Sequence, residues 1–185
     1  MELSKNKAPV KVLDKLFGPY ITEDQLLARI DDIADEIKDK YADKDPLFLG
    51  ILNGSFMFAS DLLKAVYIKS KVSFVKVASY AGTHTTGQVN ELIGLNEPIE
   101  GRHIVVVEDI VDTGITITHV LQWLQQHQPA SVAVAALLYK PSRLQKPVKP
   151  DYIGFEVPDK FLLGYGLDYD GYGRNLRHIY TEMNP

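Results

Sequence analysis

The tightest constraint on the chain is the stretch 104–116, which reads Ile-Val-Val-Val-Glu-Asp-Ile-Val-Asp-Thr-Gly-Ile-Thr. Ile104 to Val107 is β-branched and apolar without alternation, which predicts a strand buried on both faces, as in a parallel sheet. Polar residues follow at once: Glu108, Asp109, Asp112, Thr113, Gly114 and Thr116. Ile117, Val120, Leu121 and Leu124 then recur at helical spacing. The pattern is a strand, an acidic and hydroxyl-rich turn, and a helix. The first amides of a helix lack partners within it, and its dipole is positive at that end. With the hydroxyls of Thr113 and Thr116 and the bare backbone of Gly114, such an end suits a phosphate dianion. The carboxylates would repel that phosphate and need sugar hydroxyls, a proton or a magnesium ion instead. A single acid here would read as a helix cap. Two adjacent acids ahead of Asp-Thr-Gly-x-Thr point to a ligand with a phosphate, a vicinal diol and a metal-bound group.

Composition narrows the classes. At 185 residues, with 45% hydrophobic and 24% charged, the chain predicts one globular domain with a single sizeable core. A net charge of −4 gives no basic footprint for nucleic acid, and the lack of cysteine excludes disulfides and thiolate chemistry. The polar opening from Met1 to Lys11 argues against a secretory signal, and no apolar run reaches the length of a membrane span. A cytoplasmic location is expected.

The other segments fall around this centre. Residues 1–20 read as an arm with a short strand around Val10 to Leu16. Thr22-Glu23-Asp24-Gln25 is a capping-box pattern, and Leu26, Ile30, Ile33, Ile37 and Tyr41 behind it form one apolar stripe of a helix. A strand at 47–52 ends in Asn53-Gly54-Ser55 and feeds an apolar helix, so this turn is either a plain connection or a second phosphate-binding turn. After a strand at 72–80, residues 81–88 carry almost no apolar side chain, which suits a hairpin connection or a lid over a site. His84 there reads as an exposed loop histidine. Glu91 to Leu95 returns the chain to the sheet as a shorter stretch. The strand 131–139 stops at Lys140, on the edge where open α/β sheets bind ligands; the lysine could equally mark a return to solvent. A last strand at 152–157 precedes an aromatic, glycine-rich tail. Five strands (47–52, 72–80, 104–109, 131–139, 152–157) with intervening helices predict an open, mostly parallel α/β sheet.

Glu108-Asp109-Ile110-Val111-Asp112-Thr113-Gly114 resembles the phosphoribosyl-pyrophosphate signature of the type I phosphoribosyltransferases, most closely the 6-oxopurine, or hypoxanthine-guanine, branch. The tail 158–169, Pro-Asp-Lys-Phe-Leu-Leu-Gly-Tyr-Gly-Leu-Asp-Tyr, is similar to that branch almost throughout, and weaker likenesses lie at 53–55 and 79–80. The resemblance covers about residues 10–180. It implies the type I phosphoribosyltransferase fold: a core at about 22–157, a hood from about 1–20 and 158–185, and a mobile lid at about 79–90 that begins with Ser79 and Tyr80. The implied reaction is a magnesium-dependent transfer of the 5-phosphoribosyl group from phosphoribosyl pyrophosphate to N9 of hypoxanthine or guanine. Xanthine is a further candidate base, and a homodimer or homotetramer is implied.

The resemblance also implies roles. Glu108 and Asp109 would bind the ribose hydroxyls, and Asp112, Thr113, Gly114, Ile115 and Thr116 would cradle the 5-phosphate. Asp112 would also act as the catalytic base at N7 of the purine. Lys140 would donate to the 6-oxo group, Phe161 would stack on the base, and Leu162, where Val is more frequent, would contribute its backbone. Asn53, Gly54 and Arg174 would meet the pyrophosphate, with a cis peptide at Leu52–Asn53. Some relatives carry Lys where Asn53 stands, so that charge is missing here. Asp168 would hold Mg2+, with Glu108 and Asp109 nearby, mainly through ribose or water. Competing readings are a transferase of the same fold preferring xanthine or a pyrimidine, a regulator that binds RNA, and a nucleotide-binding protein without a reaction.

Overall fold

The computed structural model describes residues 8–77, 92–95 and 97–183. The expected lid, with Ser79 and Tyr80, lies outside the described residues. The chain opens with an antiparallel hairpin, β1 (Val10–Val12) and β2 (Lys15–Ile21). Helix α1 (Glu23–Tyr41) starts at Thr22, whose hydroxyl accepts from the Gln25 amide while the Gln25 side chain accepts from the Thr22 amide. The predicted stripe of Leu26, Ile30, Ile33, Ile37 and Tyr41 is the buried face of this helix.

The main sheet is built from β3 (Leu47–Leu52), β4 (Lys71–Val77), β5 (Leu92–Ile93), β6 (His103–Val111), β7 (Ser131–Tyr139) and β8 (Tyr152–Glu156). Its order is β5-β4-β3-β6-β7-β8. The five predicted strands run parallel, and the short stretch predicted at 91–95 joins as a sixth, antiparallel strand at the edge. Helices α1 and α2 (Phe56–Val66) cover one face, against Phe48, Val105, Val107, Ala133 and Ala135. Helix α3 (Ile115–Gln125) covers the other, against Leu47, Leu49, Ile104, Val106 and Val134. Burial on both faces explains the unbroken apolar runs.

Strand β6 runs to Val111, past the predicted end near Asp109, because β7 is long enough to pair with it: Ile110 opposes Leu138 and Val111 opposes Tyr139. Glu108 and Asp109 therefore lie within the strand, on opposite faces. Beyond β8, β9 (Leu162–Leu163) and β10 (Ile179–Glu182) join β2 and β1 in a second sheet of order β1-β2-β10-β9. This small sheet brings the two ends of the described chain together. It is fastened to α1 by the Glu23 amide, which donates to His178 Nδ1 at 2.8 Å, and by the Arg177–Glu23 ion pair at 2.8 Å.

Candidate active site

The carboxyl ends of β3, β6 and β7 carry three short turns. After β6, Asp112 and Thr113 lead to Gly114, which caps α3 with a φ of 77°. A side chain at Gly114 would press on Val148, Lys146 and Leu144, so only a glycine fits this close approach. The Thr113 carbonyl accepts from the amides of Gln145 and Lys146 at 2.9 and 3.3 Å, which holds the turn against the segment after β7. A cavity of about 240 Å³ opens here, lined by Glu108, Asp112, Thr113, Gly114, Thr116 and Ile117 among others. The amino end of α3 borders this cavity, and such an end suits an anion.

After β3, the Leu52–Asn53 peptide is cis, as the resemblance implied. Asn53 is exposed, and Gly54 and Ser55 are buried. A Cβ on Gly54 would collide with the Asp109 carboxylate, and one on Gly166 would collide with the Gly54 carbonyl. Gly166, Gly54 and Asp109 thus stack without room for a side chain, bringing the carboxyl-terminal loop, the β3 turn and β6 to one point. Sequence spacing could not foretell this contact, since the three lie far apart in the chain.

Electrostatics divides the two strand acids. Glu108 is 7% exposed, and its Oε2 has no hydrogen-bond partner. Burial, and then the charge of Asp109, hold its carboxyl well above the usual range. Burial also pushes Asp109 up, to about 6. The charge of Asp168 acts in the same direction, while the Ile110 amide, donating at 2.9 Å, and the Arg174 charge oppose it. Asp168 itself is held by Arg174 Nη2 at 2.6 Å and accepts from the Gly171 amide at 2.7 Å. Arg174 Nη1 donates to the Gly166 carbonyl at 2.7 Å, so this guanidinium spans the same glycine junction.

Lys140 ends β7 with its side chain buried, and its Nζ lies 3.7 Å from Asp112 Oδ2. Phe161, directly before β9, is 42% exposed, with its ring 5.6 Å edge-on to Tyr169 and 6.0 Å from Phe17. Leu162 is buried in β9, where it opposes Thr181 of β10. The structure therefore gathers Glu108, Asp109, Asp112 to Thr116, Asn53, Gly54, Asp168 and Arg174 along one sheet edge. Two residues were not singled out by sequence reasoning. Ser55 Oγ is buried without a partner at the start of α2. Arg143 lies with its Nε 3.0 Å from Asp112 Oδ1. Its position three residues after Lys140, across a proline-led turn, was the available signal.

A family model described as phosphoribosyl transferase domain matches residues 21–170. The hypoxanthine phosphoribosyltransferase of Escherichia coli strain K12 is 40% identical over 162 residues, covering 86% of this chain and 91% of that protein. The hypoxanthine-guanine phosphoribosyltransferase of Bacillus subtilis strain 168 is 36% identical over 160 residues, covering 86% of this chain and 89% of that protein. A crystal structure of a hypoxanthine phosphoribosyltransferase from Staphylococcus aureus superposes with a TM-score of 0.82 at 33% identity, covering 89% of this chain and 90% of the other.

Proposed function

The chain belongs to the phosphoribosyltransferase family, in its hypoxanthine-guanine branch, and from that premise we propose how its residues divide the reaction. The enzyme serves purine salvage. It transfers the 5-phosphoribosyl group of phosphoribosyl pyrophosphate to N9 of hypoxanthine or guanine, forming IMP or GMP and releasing pyrophosphate. The observation that carries the residue assignment is the convergence of an α3 amino end, a buried lysine and an acid–arginine pair on one sheet edge.

The amides of residues 113–116 and the hydroxyls of Thr113 and Thr116 take the 5-phosphate. Asp112 contributes its amide to that cradle and its carboxylate to the N7 proton of the purine. Glu108 and Asp109, one from each face of β6, take the ribose hydroxyls. Lys140 donates to the 6-oxo group, Phe161 stacks on the base, and the backbone of Leu162 meets its edge. Asn53, Gly54 and Arg174 meet the pyrophosphate. Guanine, hypoxanthine and xanthine differ at the 2-position, and backbone groups there would tolerate all three.

Magnesium fits the donor set. Asp109 and Asp168 are oxygen donors close enough for the charge of Asp168 to raise Asp109, and a cation would relieve that repulsion. Among the described residues no three His, Cys, Asp or Glu form a cage. Magnesium bound mainly by substrate phosphates and water needs only one or two carboxylates. Asp168 would hold it, with Glu108 and Asp109 acting through ribose or water. When bound, it would neutralise the departing pyrophosphate. We read the four-stranded sheet as a hood and residues 79–90 as a lid that keeps water from the sugar cation. A cytoplasmic location suits an enzyme whose sugar substrate is too highly charged to cross a membrane unaided. Among the described residues no helix is long and apolar enough to span one.

Self-association as a dimer or tetramer is supported by β4. Val72 and Phe74 are exposed on the face that their partners Phe48 and Gly50 share with α2, next to exposed Leu52 and Phe56. Val72→Arg is expected to lower the mass in solution to that of a monomer, read by light scattering. An unchanged oligomeric mass would place the interface elsewhere.

The activity test is incubation with phosphoribosyl pyrophosphate and Mg2+ plus hypoxanthine, guanine, xanthine, adenine or uracil, one base at a time. Nucleotide from hypoxanthine or guanine and none from adenine is expected. Product from xanthine or uracil alone would overturn the base assignment. No product from any base would overturn the catalytic reading.

A further inference from the structure

The side chains of Lys140, Asp112, Arg143 and Asp159 form a closed ring of alternating charge. Lys140 Nζ is 3.7 Å from Asp112 Oδ2 and 3.9 Å from Asp159 Oδ1. Arg143 makes the shorter sides, with Nε 3.0 Å from Asp112 Oδ1 and Nη1 3.1 Å from Asp159 Oδ1. Both distances from Lys140 exceed those of a hydrogen bond. Its ammonium is therefore surrounded by compensating charge while its donors are engaged by neither carboxylate.

The backbone makes Arg143 the natural holder of this arrangement. The Lys140 amide donates to the Val111 carbonyl at 3.0 Å, locking the end of β7 to the end of β6. Pro141–Arg143 is a single 3₁₀ turn, closed by the Arg143 amide donating to the Lys140 carbonyl at 3.1 Å. Directly behind it the Gln145 amide donates to the Thr113 carbonyl at 2.9 Å. Arg143 is thereby carried on a segment anchored on both sides to the Asp112 turn. Its guanidinium hydrogen-bonds Asp159 through Nη1, while its Nε faces Asp112 Oδ1 as an ion pair, that oxygen having no hydrogen-bond partner. A planar, delocalised charge can lie beside two carboxylates at once, as a lysine ammonium does less well.

We infer that Arg143 is a positioning residue for purine recognition, holding Asp112 and Asp159 away from Lys140 so that the buried ammonium can donate to an incoming carbonyl oxygen. This inference rests on the reading of Lys140 and Asp112 as purine-facing groups. Without the guanidinium, the two carboxylates have only Lys140 to pair with. They would close on its buried ammonium in a direct salt bridge. A 6-oxopurine would then have to break that bridge before it could bind. The phosphate cradle uses only the backbone of Asp112, in a turn held by the Val111 and Thr113 carbonyl bonds, and the Gly54–Asp109–Gly166 junction is built from other residues, so both would be unaffected. Asp159 also stands two residues before Phe161, so the same guanidinium tethers the segment that carries the stacking ring.

The test is steady-state kinetics of Arg143→Gln and Arg143→Lys with each substrate varied in turn. Arg143→Gln is expected to raise the KM for hypoxanthine about tenfold or more and to leave that for phosphoribosyl pyrophosphate within about twofold, the signature of lost binding at one subsite. Arg143→Lys is expected to recover part of that loss, because it restores one charge but not the fork. If Arg143→Gln does not fold, the same split is read from Arg143→Lys. A crystal structure of the variant should show Lys140 Nζ in direct hydrogen bonds with Asp112 or Asp159. An unchanged hypoxanthine KM, or parallel rises in both KM values, overturns the inference while wild-type activity keeps the functional reading. A wild type that makes no nucleotide from hypoxanthine or guanine overturns both.

Discussion

Asp112→Asn is expected to lower kcat about 10²–10⁴-fold, the usual worth of a positioned general base, and to leave the affinity for phosphoribosyl pyrophosphate within about threefold, since on the proposed assignment only an interaction at the reacting base is removed. The asymmetry follows from the two parts proposed for Asp112. Its backbone belongs to the turn that caps α3, and that turn is set by Gly114 and by the Thr113 carbonyl bonds to Gln145 and Lys146. None of these involves the carboxylate. Asparagine keeps the shape of the side chain, and Arg143 keeps its hydrogen bonds to Asp159, so the surrounding groups lose one charge but not their geometry. On the proposed assignment, what is lost is an oxygen that can take the N7 proton as N9 attacks C1. Calorimetric titration with phosphoribosyl pyrophosphate and Mg2+, beside single-turnover rates, separates the two quantities. Equal losses in both would assign Asp112 to substrate binding alone.

Features governed by local periodicity are legible in the sequence. The stripe of α1, the capping box at Thr22 and the two-sided burial of β6 depend on near neighbours, and each was found where the pattern put it. The turn 112–116 was readable for the same reason, because an acid-and-hydroxyl turn between a buried strand and a helix has few uses. Contacts between distant segments were not. The end of β6 moved two residues onward because β7 was there to pair with it, and no property of Ile110 or Val111 alone could announce that. The opposite orientation of Glu108 and Asp109 follows from this extension, since residues inside a strand alternate and residues in a turn need not. Gly54 and Gly166 each looked like an ordinary loop glycine. Their need to be glycine appears only when the carboxyl-terminal loop lies on the β3 turn. Arg143 was hidden differently. Its segment reads as a return to solvent, and its meaning comes from two carboxylates supplied by the turn after β6 and by the loop before β9. Local pattern thus announced the turn and the helix start beside the cavity. The charge ring around Lys140 had to wait for the tertiary arrangement.

Lys140→Met is expected to collapse the preference for hypoxanthine over adenine. A site built to hydrogen-bond a particular group rejects an analogue lacking it by about 10⁴–10⁵-fold, because a buried polar group is otherwise left unpaired. Lys140 is such a group. It is 5% exposed, and its Nζ stands beyond hydrogen-bond distance from both nearby carboxylates. A 6-oxo group supplies the acceptor that the ammonium lacks, whereas a 6-amino group presents a donor to a donor. Methionine retains much of the stem's apolar volume and removes the charge, so the pocket is not emptied. The ring around it does not fall apart, because Arg143 still pairs with Asp112 and Asp159. Two effects should therefore separate. The kcat/KM for hypoxanthine drops by about 10²–10³-fold, in line with a lost charge-assisted hydrogen bond and some misplacement of the base. That for adenine stays level or rises, since the mismatched donor is gone. The measurement is the ratio of the two kcat/KM values in wild type and variant, with the phosphoribosyl pyrophosphate KM as the internal control. A ratio unchanged by the substitution would remove Lys140 from the purine site. A loss shared equally by both bases, with a risen phosphoribosyl pyrophosphate KM, would assign it to the architecture of the sheet edge.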